Sequence, residues 1–106
     1  MKIQLQANKI ALTEEIKNYV QTKVDMLDKY LGNLVATNCD VDLSLDSNSH
    51  QKGEMYKVEI NLVVPGQLLH VEKVEDQLLK AVDKAKDHMA EVIKEHKGKL
   101  IDKHRN

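Results

Sequence analysis

Apolar Ile3 and Leu5 alternate with polar neighbours from Lys2 to Gln6, the two-residue period of a strand buried on one side. Thr13 starts a different rhythm. Ile16, Val20, Val24, Leu27 and Leu31 recur every three or four residues, which predicts a helix from Thr13 to a stop at Gly32-Asn33, with Glu14 and Glu15 suited to its N-terminal dipole. From about Val35 to Leu45 the period returns to two. Cys39, Val41, Leu43 and Leu45 face one way; Asn38, Asp40, Asp42 and Ser44 face the other. A polar loop from Asp46 to Gly53 leads to a third strand, Tyr56 to Val64, where Tyr56, Val58, Ile60 and Leu62 alternate with Lys57, Glu59 and Asn61. These two strands should pair antiparallel. Pro65-Gly66 marks a turn into a short fourth strand around Leu69 and Val71. Asp76 is suited to cap a last helix, whose stripe of Leu78, Val82, Ala85, Met89 and Val92, widened by Leu79 and Ile93, runs until Gly98 ends or weakens it.

This order predicts an α+β fold, with two helices packed on one face of a four-stranded, mainly antiparallel sheet. A chain of 106 residues is the size of one domain; residues 1–98 should form it and residues 99–106 a basic tail. The composition, 42% hydrophobic and 31% charged, is that of a chain that folds. Three Tyr are its only aromatic residues, so the core is aliphatic, and base stacking on an aromatic platform is disfavoured as a binding mode. Cys39 is the single cysteine, which excludes an intramolecular disulfide and argues against a thiolate metal cluster. No apolar stretch approaches the roughly 18 residues that span a bilayer, and the N-terminus lacks a secretory leader pattern. A cytoplasmic location is expected.

Charge is balanced overall, at a formal net of -1, and unevenly spread. From Lys94 onward five basic groups (Lys94, Lys97, Lys99, Lys103, Arg105) outnumber Glu95 and Asp102, with His96 and His104 among them. Such a tail suits phosphate.

The Lys23-Val-Asp-Met-Leu-Asp-Lys29-Tyr30 ending of the first helix, the Val64-Pro65-Gly66 turn, the Ala81-Val82-Asp83 segment and the closing His96-Lys97-Gly98-Lys99-Leu100 occur in this order. Together with the element order, they resemble the family of ribosome hibernation-promoting factors and ribosome-associated inhibitors over nearly the whole chain. The resemblance implies a double-stranded-RNA-binding-like fold that lodges in the decoding region of the small ribosomal subunit, blocks messenger and transfer RNA, and parks the ribosome in an inactive state under stress. Longer members carry a second, dimerising domain. This chain ends where that linker would start and so resembles the short form, expected to be monomeric when free.

In that family the exposed face of the last helix carries a line of basic residues, about one per turn. His88, Glu91 and Glu95 stand at those positions here, within about 60° of one another on a helical wheel and away from the apolar stripe. Each lost phosphate contact weakens binding and flattens its salt dependence by roughly one counterion. The remaining candidates for RNA contact are Lys23 and Lys29 on the first helix, Lys80 and Lys84 early in the last, and Lys94, Lys97, Lys99, Lys103 and Arg105 at its end. Lys23 stands out because it falls inside the apolar arc between Val20 and Leu27, where a charge must either snorkel to the edge of the core or face a partner. For Lys29, Lys80 and Lys84 a solvated helix face is an equal reading, and a frayed solubilising end is the alternative for the tail.

Catalysis finds no support: the chain has no glycine-rich phosphate loop and no nucleophile beside a base, and Cys39 falls on an inward face. His88, Glu91 and Glu95 share a helix face but lack the supporting partners of a metal site. His50 and His70 read as isolated and solvent-exposed, and Asp40, Asp42 and Asp46 as the wet side of a sheet. No enzyme activity, cofactor, metal, membrane or small-molecule substrate is expected. Two functions remain: a ribosome-binding inhibitor, released from small subunits by charge reversal at Lys23 and Lys29, and a relative that binds a protein through the Glu91-Glu95 face without ribosome association.

Overall fold

The computed structural model describes residues 1–46 and 53–104, with side chains up to residue 101. Residues 47–52, which hold His50 and most of the predicted polar loop, and residues 105–106, which include Arg105, lie outside the described residues. The elements are β1 (Gln4–Asn8), α1 (Glu14–Asp25), α2 (Asp28–Leu31), β2 (Asn38–Leu45), β3 (Tyr56–Val64), β4 (Gln67–Glu75) and α3 (Leu78–His104). They form the α+β arrangement read from the sequence. The strands lie in the order β1-β2-β3-β4, with β1 parallel to β2 and the other two pairs antiparallel.

Register sends alternate residues to opposite sides. Val41, Ile60 and Val71 align across three strands on the buried side, while the next row, Gln4, Asp40, Asn61 and His70, faces away from the helices. The helices cover the first side. Val20 and Val24 from α1, Leu27 from the turn after it and Leu31 from α2 meet Ala81, Val82, Ala85, Met89 and Ile93 from α3 over the sheet's Leu43, Val58, Leu62 and Val64. Among the described residues the fully buried ones are all apolar, Cys39 included.

Local chemistry accounts for most boundaries. The Thr13 hydroxyl accepts from the Ile16 amide at 3.2 Å, satisfying one of the free donors at the start of α1. Pro65 and Gly66 make the β3–β4 turn, where Gly66 takes φ +77°, a conformation that Cβ-bearing residues resist.

Five expectations are corrected. The first helix is not continuous: at Met26 and Leu27 the bonds tighten to Met26 N–H to Lys23 O (3.2 Å) and Leu27 N–H to Val24 O (2.9 Å), before α2 resumes. This overwound turn keeps Leu27 and Leu31 aimed at the core and leaves Met26 in solvent. The second strand starts at Asn38 rather than Val35, whose side chain is exposed. The fourth strand is not short, because β3 offers a pairing partner to every residue from Gln67 to Glu75. Asp76 does not cap α3; it lies two residues ahead of Leu78 and pairs with Lys80 at 3.6 Å. Gly98 does not end α3, which runs on to His104. A single interior glycine costs only about 1 kcal/mol, and the good helix formers Lys97, Lys99 and Leu100 flank it.

Candidate nucleic-acid interface

The seven candidate cations whose side chains are described do not form one surface. Three of them converge where α2 ends against the C-terminal half of α3. The Lys29 and Lys94 ammoniums lie 5.1 and 5.0 Å from the centroid of the Tyr30 ring, and the Lys97 ammonium donates to the Tyr30 carbonyl at 3.0 Å. Each ammonium gains from the negative ring face or from a carbonyl at the negative end of a helix. Lys94 also lies 3.4 Å from Glu91 one turn earlier, whereas Lys29 is exposed and makes no ion pair among the described residues. Lys97 is half-buried, and its ammonium lies close against the turn at Gly32.

Lys23 reaches the seam between α1 and α3. Its ammonium stands 3.3 Å from Asp83 Oδ1 and 5.3 Å from the centroid of the Tyr19 ring. The same Asp83 oxygen accepts from the Tyr19 hydroxyl at 2.7 Å, and this hydrogen bond is the main cause that pushes the Tyr19 phenol above its ordinary pKa. The charge inside the apolar arc therefore snorkels and finds an internal carboxylate.

At the other end of α3, Lys80 lies 3.6 Å from both Glu75 and Asp76, and Lys84, one turn on, is exposed without an ion pair among the described residues. Lys99 is separated from Lys94. It sits on the opposite flank of α3, where it lines a shallow cavity of about 220 Å³ with Gln67, His70, Glu95 and His96. Lys103 belongs to the last turn of α3, and Arg105 lies outside the described residues.

His88, Glu91 and Glu95 are exposed on the outer face of α3, so the outward line of that helix is partly anionic. They do not converge on a common point. Among the described residues, the group that does is Glu59, His70 and Glu72 on the open face of the sheet, with donor atoms within 4.8 Å of one another. His70 is thus exposed as expected but not isolated, and Asn61 Oδ1 lies 2.6 Å from its Nδ1. Glu59 and Glu72 face each other across β3 and β4, and the Lys57 ammonium lies 3.6 and 4.0 Å from them, offsetting a repulsive pair. With Asp40 and Asp42 alongside, this open face is acidic, the reverse of what phosphate requires.

Sequence reasoning missed Tyr30 and Asp83 as organisers. Lys29 is beside Tyr30 in the chain, but Lys94 and Lys97 reach it only through helix packing. For Asp83 a signal existed: a lysine inside an apolar arc calls for an acid on the helix it packs against.

Comparison with known proteins points one way. The family described as Sigma 54 modulation protein / S30EA ribosomal protein matches residues 3–101. A ribosome hibernation promotion factor of Picosynechococcus is 29% identical over 103 residues, 97% of this chain and 52% of the relative. Another, from Deinococcus radiodurans, is 24% identical over 92% of this chain and 50% of its own length. The chain spans about half the length of these curated relatives. Among solved structures, the N-terminal domain of Thermus thermophilus Protein Y superposes with a TM-score of 0.77 at 29% identity, covering 91% of this chain and 99% of that one. A ribosomal subunit interface protein from Coxiella burnetii shares the fold, with a TM-score of 0.75 at 15% identity over 92% of this chain and 99% of that one.

Proposed function

The chain belongs to the Sigma 54 modulation protein / S30EA ribosomal protein family, and from that membership we propose that it is a non-enzymatic, cytoplasmic ribosome hibernation factor. It binds ribosomal RNA in the decoding region of the small subunit, excludes messenger and transfer RNA, and holds the ribosome idle. The observation that carries this reading is the convergence of Lys29, Lys94 and Lys97 on Tyr30, which concentrates positive charge from two helices at one end of the molecule. Phosphate is the partner such a cluster suits, and a polyanion gains affinity from each ammonium that displaces a counterion. The Tyr30 ring is engaged by two ammoniums, so it supports charge rather than stacking on a base.

On this reading Lys29, Lys94 and Lys97 are the centre of the contact. Lys80 and Lys84 add contacts farther along α3, Lys99 adds one from its other flank, Lys23 flanks the centre in the α1–α3 seam, and Lys103 and Arg105 are further candidates by sequence. Neither cofactor nor metal is required. A second reading, a protein-binding module, draws on the exposed Glu91 and Glu95 side chains on the outer face of α3.

Sedimentation through sucrose with purified small subunits at two salt concentrations separates the readings. The ribosome reading expects co-sedimentation that weakens with salt and is lost in a Lys29→Glu, Lys94→Glu double variant. Protein absent from the subunit fractions even at low salt would sink it.

A further inference from the structure

Lys23 is tied more loosely than the carboxylate that holds it. Its ammonium sits 3.3 Å from Asp83 Oδ1, while Tyr19 O–H donates to that oxygen at 2.7 Å. Asp83 is thus anchored by a charge-assisted hydrogen bond from a stiff side chain, and Lys23 approaches on a flexible four-carbon stem. The seam is open to solvent, with the Lys23 side chain 24% and the Asp83 side chain 41% exposed. Lys86 is another cation near this network, and its own ammonium is paired with Asp87 at 2.6 Å.

We infer that Asp83 is an internal competitor for phosphate at Lys23, a built-in carboxylate that withholds this lysine from RNA until a phosphate displaces it. The inference rests on the ribosomal-RNA reading above. A solvent-accessible ion pair is weak, so exchanging the carboxylate for a phosphate is cheap. While the pair persists, Lys23 neutralises no phosphate and releases no counterion from the RNA. Asp83 therefore sets how much of the basic surface is active, and removing its charge adds one effective cation.

The test is equilibrium binding of the full chain to purified small subunits across a salt series, with thermal melting as a control for folding. Asp83→Asn keeps an oxygen for Tyr19 O–H and removes the charge. It should bind roughly fivefold more tightly at low salt, with a salt slope steeper by about one counterion, and both gains should vanish in the Asp83→Asn, Lys23→Met double variant. A second measurement does not depend on how Asp83→Asn folds: Lys23→Met in the natural background should cost clearly less affinity than Lys29→Met. Weaker or unchanged binding by folded Asp83→Asn overturns the inference, as does a gain that persists without Lys23, or a Lys23→Met loss equal to that of Lys29→Met. Natural protein that stays off the subunits at low salt overturns the ribosomal-RNA reading and this inference with it; natural protein that binds while Asp83→Asn changes nothing overturns this inference alone.

Discussion

The Lys97 ammonium donates a 3.0 Å hydrogen bond to the Tyr30 carbonyl, 67 residues earlier in the chain, and so closes the C-terminus of α2 from the side of α3. The turn that follows depends on Gly32, whose φ is +58° and whose place a Cβ would fill only 3.1 Å from that ammonium. Lys97→Ala should cost about 1–2 kcal/mol of stability in urea unfolding, through the lost bond and helix-end charge. Gly32→Ala should cost about 1–3 kcal/mol, because a side chain is strained there. The double variant should lose less than the sum, since shortening residue 97 removes the crowding and leaves the backbone strain.

Glu91 and Glu95 are exposed on the outward face of α3, following the exposed Lys84 that the ribosomal-RNA proposal sets against phosphate. Replacing both with Lys should tighten binding to small subunits and steepen its salt dependence by roughly one to two counterions, read from affinities at several salt concentrations. An unchanged slope would show that this face points away from the RNA.

Burial pushes the Cys39 thiol up to about 11, with the Asp40 carboxylate adding to the effect. The folded thiol should therefore ignore a disulfide reagent at pH 8 and react quickly once urea unfolds the chain. Because the pKa is higher folded than unfolded, the stability it contributes is complete below about pH 9 and lost as pH rises toward 11, by on the order of 2 kcal/mol. In urea titrations at pH 8 and pH 10.5, Cys39→Val should lack this share of the alkaline loss.

Leu27 is fully buried in the turn between α1 and α2. Leu27→Ala should cost about 2–5 kcal/mol in urea unfolding, more than Met26→Ala beside it, whose side chain is in solvent.

The sequence displayed the layers clearly because each strand writes its two faces in alternate residues. Cys39, Val41 and Leu43 are inward as their spacing implies, and Asp40 and Asp42 outward. Lys23 was legible as an anomaly, and its internal answer, Asp83, follows from the same reasoning carried one helix further. The break at Met26 and Leu27 was hidden, since Val20, Val24, Leu27 and Leu31 fit an unbroken helix just as well. Gly98 misled in the other direction: a glycine halts a helix only where nothing beyond it packs, and Leu100 is still half-buried. The Tyr30 cluster could not be read at all, because Lys29 and Lys94 meet through the packing of helices and not through any local pattern.

The parallel pairing of β1 with β2 carries a consequence for how the protein assembles and fails. β2, β3 and β4 can zip through successive antiparallel partners, but β1 docks only after the α1–α2 crossover has closed a long loop. β1 should be the last strand to join and the first to detach, with its amides exchanging hydrogen sooner than those of β3. Its departure bares β2 as a new edge, an invitation to pair with another molecule. Asp40 and Asp42 ride on that edge, so two copies meeting strand to strand bring like charges together. Asp40→Asn with Asp42→Asn should hasten aggregation near the melting temperature, seen as earlier light scattering on heating.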